Sequence, residues 1–278
     1  MHRFTRRSAV ATMAAGWLAL AAPSVQGASD PTFRVAYDIY FGGLHLAVAD
    51  ASVSLTGARY VLGLRANLRG ISSVFSSWRL ETNSRGAVNG SSILPDAHTL
   101  TQARGGDADS VRMRFDSGRP VDVVHTPERE EPAPGHEDFI PESELQGALD
   151  PVSALILAMQ TVENAQSCQM RAPVYDGRRR FDLVFSSLGS ENLEATRYNA
   201  YSGPATRCRV HIELVSGAFS AADSDSFWSR GADRSDRQMD VWFGRPLSDG
   251  PVLPVRLQGD TRFGRFLIHL REAGSIGQ

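Results

Sequence analysis

Lysine is missing from this chain altogether: all 29 basic residues are arginine. Lysine codons are AT-rich, so a GC-rich genome accounts for the bias, and no mechanism follows from it. Metal-binding templates are missing too. The 7 histidines include no H-E-x-x-H and no H-x-H, spacings that would set two imidazoles on one ion. His136-Glu137-Asp138 is the densest polar cluster, but it lies in a proline-rich stretch that fixes no ligand by itself. No G-x-S-x-G is present to hold a serine on a nucleophile elbow. A glycine-rich dinucleotide fingerprint and a P-loop are likewise absent, as is the βαβ alternation they require. Asp223, Asp225 and Asp233 lack the spacing and closing glutamate of a calcium loop. Carboxylate pairs such as Glu142/Glu144 and Asp223/Asp225 sit among other acids in loops, a setting of solvated charge rather than acid–base chemistry. The expectation is a protein with no catalytic residue, metal or cofactor.

Long apolar runs are confined to the first 27 residues, and these have the layout of an export signal. Arg3, Arg6 and Arg7 form a basic n-region, residues 9–22 are uncharged and apolar, and Val25-Gln26-Gly27 suits cleavage. That run is short for a membrane span. The reading is a signal peptide over residues 1–27 and one periplasmic domain over residues 28–278, with no transmembrane segment in the mature chain. The general secretory route is favoured, and Arg6-Arg7 leaves the twin-arginine route open. Losing the three arginines takes the formal charge from −2 to −5, which argues against nucleic acid as a partner. Only two cysteines occur, Cys168 and Cys208. In an oxidising compartment an even pair reads as a structural disulfide.

What is present is mostly strand. Residues 33–40 (FRVAYDIY) and 46–55 (LAVADASVSL) alternate apolar and polar positions, as half-buried strands do. Turn signals then recur every 8–12 residues, including Gly42-Gly43, Thr56-Gly57-Ala58, Asn83-Ser84-Arg85-Gly86, Asp116-Ser117-Gly118 and Asp176-Gly177. This is the rhythm of an antiparallel meander. Two long loops interrupt it, residues 126–144, acidic and proline-rich, and residues 216–236, rich in Ser, Asp and Gly. The one clear helix is 147–164 (GALDPVSALILAMQTVEN). Asp150 is placed as its N-cap and Pro151 at its first position, where a missing N–H costs nothing. Val152, Leu155, Ile156, Met159 and Val162 fall on one face. About seven strand-like segments precede this helix and five follow. The expected fold is mainly β: a single large curved antiparallel sheet or open half-barrel, with one main helix packed against it.

A curved sheet with a helix on its apolar face makes a hydrophobic cleft. Phe75, Trp78, Val152, Leu155, Ile156, Met159, Trp242 and Phe243 are the residues expected to line it. The alternative is that these side chains only fill the core.

Several motifs together resemble a family of exported bacterial proteins catalogued only as a domain of unknown function. They are Tyr37-Asp38-Ile39-Tyr40 with Gly42-Gly43-Leu44, then residues 60–69 leading to Ser73-Val74-Phe75, Gly86 and Leu94-Pro95. Asp150-Pro151-Val152-Ser153-Ala154 is the most specific, and Val241-Trp242-Phe243, Leu253-Pro254-Val255-Arg256 and Gly264 form a C-terminal block. The resemblance implies a periplasmic β-rich envelope protein with no assigned activity. Its fold also looks like half-barrels that carry lipoproteins or sense envelope stress, an analogy of fold alone. The functional expectation is a non-enzymatic protein supporting the cell envelope by holding a lipid or acyl chain. An interaction scaffold for an envelope partner is the alternative, and a hydrolase of wall or lipid material a third.

Overall fold

The computed structural model describes residues 32–70, 77–128, 132, 135–136, 138–217, 239–261 and 264–276. Among these residues seven strands precede the main helix: β1 (Thr32–Phe41), β2 (Leu44–Thr56), β3 (Arg59–Leu68), β4 (Trp78–Asn89), β5 (Ser92–Arg104), β6 (Asp107–Asp116) and β7 (Arg119–Thr126). The helices are α1 (Glu142–Leu145) and α2 (Pro151–Ala165). Six strands follow: β8 (Met170–Tyr175), β9 (Arg180–Leu193), β10 (Gly203–Ser216), β11 (Met239–Gly244), β12 (Leu253–Thr261) and β13 (Gly264–Ile276).

All of them form one 13-stranded sheet in the order β7-β6-β5-β4-β3-β2-β1-β13-β12-β11-β10-β9-β8. Every pair is a sequence neighbour except the central one, where β1 lies antiparallel on β13. Two meandering arms thus spread from a seam between the first and last strands. The sheet is not closed, because β7 and β8 stand at its two ends. Alternation along each strand gives the sheet an inner face that carries α2 and an outer face. On the inner face Leu62, Ser84, His98 and Met113 stand opposite one another across β3 to β6, all of them buried.

The two ends are brought near each other by the segment before α2. Its Gly147 N–H donates to Gly118 O (2.7 Å) in the β6–β7 turn. Two residues on, Leu149 N–H donates to Pro173 O and Leu149 O accepts from Tyr175 N–H, both 2.8 Å, which adds a short parallel bridge to β8. His125 Nε2 lies 3.0 Å from Gly177 O, so the β8–β9 turn also meets β7.

One turn expectation needs correction. Residues 83–86 do not turn; they lie inside β4, paired with β3 and β5. Gly86 is required there by contact, since a Cβ would fall 2.7 Å from the Tyr60 ring and 2.3 Å from Leu94 O. The reversal comes later, after Asn89, at Gly90-Ser91, with Gly90 at φ 61°. Pro95, too, is a strand residue. It sits within β5 beside a bulge, at a level where β6 pairing has not begun, so its missing N–H breaks no ladder. Further on, β9 runs unbroken from Arg180 to Leu193, and the chain then leaves the sheet and returns Ala200 N–H to Leu270 O at 2.7 Å.

Cys168 and Cys208 are bonded, with Cα atoms 6.1 Å apart. Cys168 follows α2 directly and Cys208 lies in β10, so the bridge ties the end of the helix to the middle of the second arm. Closing a 40-residue separation contributes about 4 kcal/mol through the chain entropy of the unfolded state. The Cys168→Ala/Cys208→Ala variant should therefore lose about 4 kcal/mol in urea unfolding, and a loss under about 1 kcal/mol contradicts this role.

Candidate functional site

The site begins with how α2 is held. Asp150 stands at the N-cap in extended conformation, and its Oδ1 accepts the N–H groups of Val152 and Ser153 at 3.0 Å each. These are donors the helix cannot satisfy internally. The other carboxylate oxygen faces the sheet. Oδ2 accepts the hydroxyls of Ser84 (2.8 Å) and Ser153, and Ser153 Oγ lies 2.5 Å from Tyr60 Oη and 3.0 Å from Ser84 Oγ. His98 Nδ1 is 3.0 Å from Asp150 Oδ1. Asp150 and Ser153 are 0% exposed, and Tyr60, Ser84 and His98 are at most 2% exposed.

A serine, histidine and aspartate in contact invite comparison with a catalytic triad, but the connections differ. In a triad the histidine bridges nucleophile and acid; here the aspartate bridges, and both serines donate to it. With every member sealed from solvent, the cluster anchors the helix. Burial alone would push the Asp150 carboxyl up, but hydrogen bonds from His98 and Ser153 and the charge of His98 overcome it and hold the group below the ordinary aspartate value. Burial drives the Tyr60 hydroxyl up to about 12.

So anchored, α2 turns Ile156, Met159, Gln160 and Glu163 toward one mouth of the half-barrel. They meet Phe33 at the start of β1, Leu55 at the end of β2, and residues 245–252, the strap between β11 and β12. Between them is a cavity of about 270 Å³ with a mainly apolar lining. Glu163 fastens the strap to the helix: one carboxylate oxygen takes Arg245 Nη2 and the other the Val252 N–H at 3.3 Å. Arg245 also donates through Nη1 to Gly250 O. A Cβ at Gly250 would lie 3.0 Å from Leu247 and 3.4 Å from the Phe33 ring, so the strap packs closely on β1.

Of the seven described residues expected in the cleft, Ile156 and Met159 line this cavity and the other five do not. Val152 is buried, and Leu155 and Trp78 pack half-buried against the core. Phe243 is a core residue. Trp242 belongs elsewhere: Arg207 and Arg256 lie opposite it on the two flanking strands, so it shares their outer face. The two guanidinium groups cover its ring at 4.9 and 4.6 Å, and its Nε1–H donates to Glu191. The outer face is thus partly apolar here, under the two guanidinium groups. Phe75 lies outside the described residues, as do Asp223, Asp225 and most of the second long loop. The contributions of Phe33, Leu55, Glu163, Arg245 and Val252 were not read from sequence, nor were the partners of Asp150. The Asp150-Pro151 cap was legible; that its carboxylate also reaches β4 and β5, with β3 joined through Ser153, was not.

Two other features stand on the outer face. A larger depression of about 650 Å³ crosses β13, β1, β2, β3 and β4, with walls that include the charged side chains Arg34, Asp50, Arg65 and Glu81. Its lining has a larger polar share than that of the cleft. Beside it Tyr40 stacks on His45 (4.9 Å between ring centres) and meets Tyr198 and His269 edge-on at 5.5 and 6.2 Å. Burial and the neighbouring Arg256 hold His269 below the ordinary histidine range, with Asp38 pulling the other way. Among the described residues no three His, Cys, Asp or Glu side chains converge as a metal site, and no helix is long and apolar enough to cross a membrane.

Comparison with known proteins bears on the chain as a whole. Residues 36–271 match the family model described as a protein of unknown function, DUF3108. The chain belongs to that family. Its sheet is similar to that of a β-barrel-like protein of the domain of unknown function DUF1849 from Brucella abortus, known from its crystal structure. The TM-score is 0.51 at 8% identity, over 90% of this chain and 99% of that one. At that identity the likeness is one of fold. No curated protein matches the sequence.

Because the Asp150 carboxyl is held below its ordinary value, its contribution is fully present above the unfolded-state value near pH 4 and fades as pH falls through the lower folded value. The urea midpoint should drop between pH 5 and pH 2.5 in the parent protein. Asp150→Ala, which also orphans His98, should cost about 3–5 kcal/mol at pH 7 and flatten that drop. An unchanged pH slope in the variant contradicts the anchoring role.

Proposed function

We propose that this protein acts without catalysis in the cell envelope, as a periplasmic protein that holds one apolar chain of a lipid-like ligand between α2 and the strap. The observation that carries the reading is the cavity of about 270 Å³ whose floor is Phe33, Leu55, Ile156, Met159 and Val252 and whose rim is polar. Apolar walls with a few convergent polar groups are the common form of a small-molecule site. The volume sits just under the usual ~300–1,000 Å³ of such sites, which suits a single chain and excludes a whole two-chain lipid. The disulfide and the export-type N-terminus accord with an oxidising compartment.

A second reading, docking of an envelope protein by strand addition, is favoured by β7. This end strand exposes Val121 (45%) and Val124 (44%), the kind of edge that accepts a partner strand.

The test is a titration with N-phenyl-1-naphthylamine, an uncharged fluorophore that brightens in apolar surroundings. Leu55→Trp fills the cavity from a strand end; Leu55 stands opposite Tyr60 on β3, so an unchanged thermal midpoint is the control that the Asp150 cluster is intact. Saturable binding by the parent protein, weakened at least about tenfold in a Leu55→Trp variant of unchanged thermal midpoint, is expected for loss of roughly one side chain's worth of apolar contact. Equal binding by both proteins would move the ligand out of this cleft and leave the β7 edge as the better reading.

A further inference from the structure

The rim of the cleft carries information about the polar end of the ligand. Three charged side chains stand there: Glu163, Arg245 and Asp249. Arg245 is already engaged, with one guanidinium nitrogen on Glu163 and another on Gly250 O. Its positive charge is therefore offset within the strap-to-helix latch. Asp249 is exposed at the cavity lip on the same strap, and it leaves the rim with two carboxylates to one guanidinium. A carboxylate or phosphate head entering this mouth would meet a like charge for which, among the described residues of the lining, no second cation compensates. A cationic head would meet an uncompensated opposite one at the exposed lip. Gln160, also on the rim, supplies a neutral acceptor beside it.

From this charge balance we infer that the occupant is a single-chain amphiphile with a positively charged, hydrogen-bond-donating amine head, its chain between Ile156, Met159 and Leu55 and its ammonium group beside Asp249. The inference rests on the reading of the cleft as an apolar-chain site, and it adds the sign of the head group. Charge complementarity at a partly exposed rim sets selectivity more than total affinity. The chain supplies the affinity, and the rim decides between ligands of equal chain length.

Three probes of one chain length separate the two claims: decylamine, decanol and decanoate, each displacing N-phenyl-1-naphthylamine at pH 7.5, below micelle-forming concentrations. The expected order is amine, then alcohol, then carboxylate, with about a tenfold span between the first and last at low salt, as opposite and like charges at a screened rim give. Added salt should narrow that span. Asp249→Asn should bring the amine close to the alcohol while leaving the alcohol's affinity unchanged, a pattern that mere damage to the cleft would not produce. Decanoate binding as tightly as decylamine overturns the inference, and so does an amine preference that survives Asp249→Asn; in either case decanol binding keeps the apolar-chain reading. Failure of all three probes, decanol included, overturns both together.

Discussion

One carboxylate organises this fold. Asp150 caps α2 with one oxygen and binds the hydroxyls of Ser84 and Ser153 with the other, while His98 and Tyr60 close the cluster from neighbouring strands. A buried ionised group is costly unless it is paired and hydrogen-bonded, so the cluster tolerates only one seating of the helix on the sheet. A slip of α2 by one turn, or of β4 or β5 by one residue, would leave a charge and several hydroxyls without partners. Apolar packing alone would permit neighbouring arrangements at small cost. The polar anchor selects among them.

The other end of α2 is fixed by covalent chemistry. The helix ends at Gln166, which adopts a left-handed conformation and returns its N–H to Val162 O at 2.9 Å. Cys168 then bonds Cys208 in β10. The two anchors grip opposite arms of the sheet: the Asp150 cluster holds β3, β4 and β5, and the disulfide holds β10. An open sheet whose end strands do not pair is thereby kept curved around its helix, with residues 147–149 stitching the gap. The cleft between Ile156, Met159, Phe33 and the strap follows from this geometry, since it is the space left where α2 passes the mouth of the half-barrel. The latch of Glu163 on Arg245 and Val252 shows how lightly that mouth is closed: one carboxylate joins strap to helix.

Much of the architecture was legible in the sequence because it rests on local chemistry. Strand alternation identified β1 and β2, Gly42-Gly43 and Asp176-Gly177 marked real hairpins, and Asp150-Pro151 marked the helix start. Local signals misled where a residue had been chosen for a distant contact. Ser84 and Gly86 look like turn residues, yet Ser84 is polar because Asp150 comes to it from the helix, and Gly86 is small because Tyr60 occupies the space a side chain would need. Trp242 looked like a cleft residue by its type, but one step of strand parity beside Val241 puts it on the outer face between two arginines. The cleft itself draws on β1, β2, α2 and the strap before β12, which only the pairing of the first strand with the last brings together. No motif of short range encodes such a site.

The most direct test of the proposed role is native mass spectrometry of the mature protein released gently from a bacterial periplasm. A single added mass, lost on denaturation, identified as a one-chain amphiphile and absent from the Leu55→Trp variant, is the result predicted. A bare polypeptide mass from folded, disulfide-closed protein would contradict it, and attention would then belong to the exposed edge of β7.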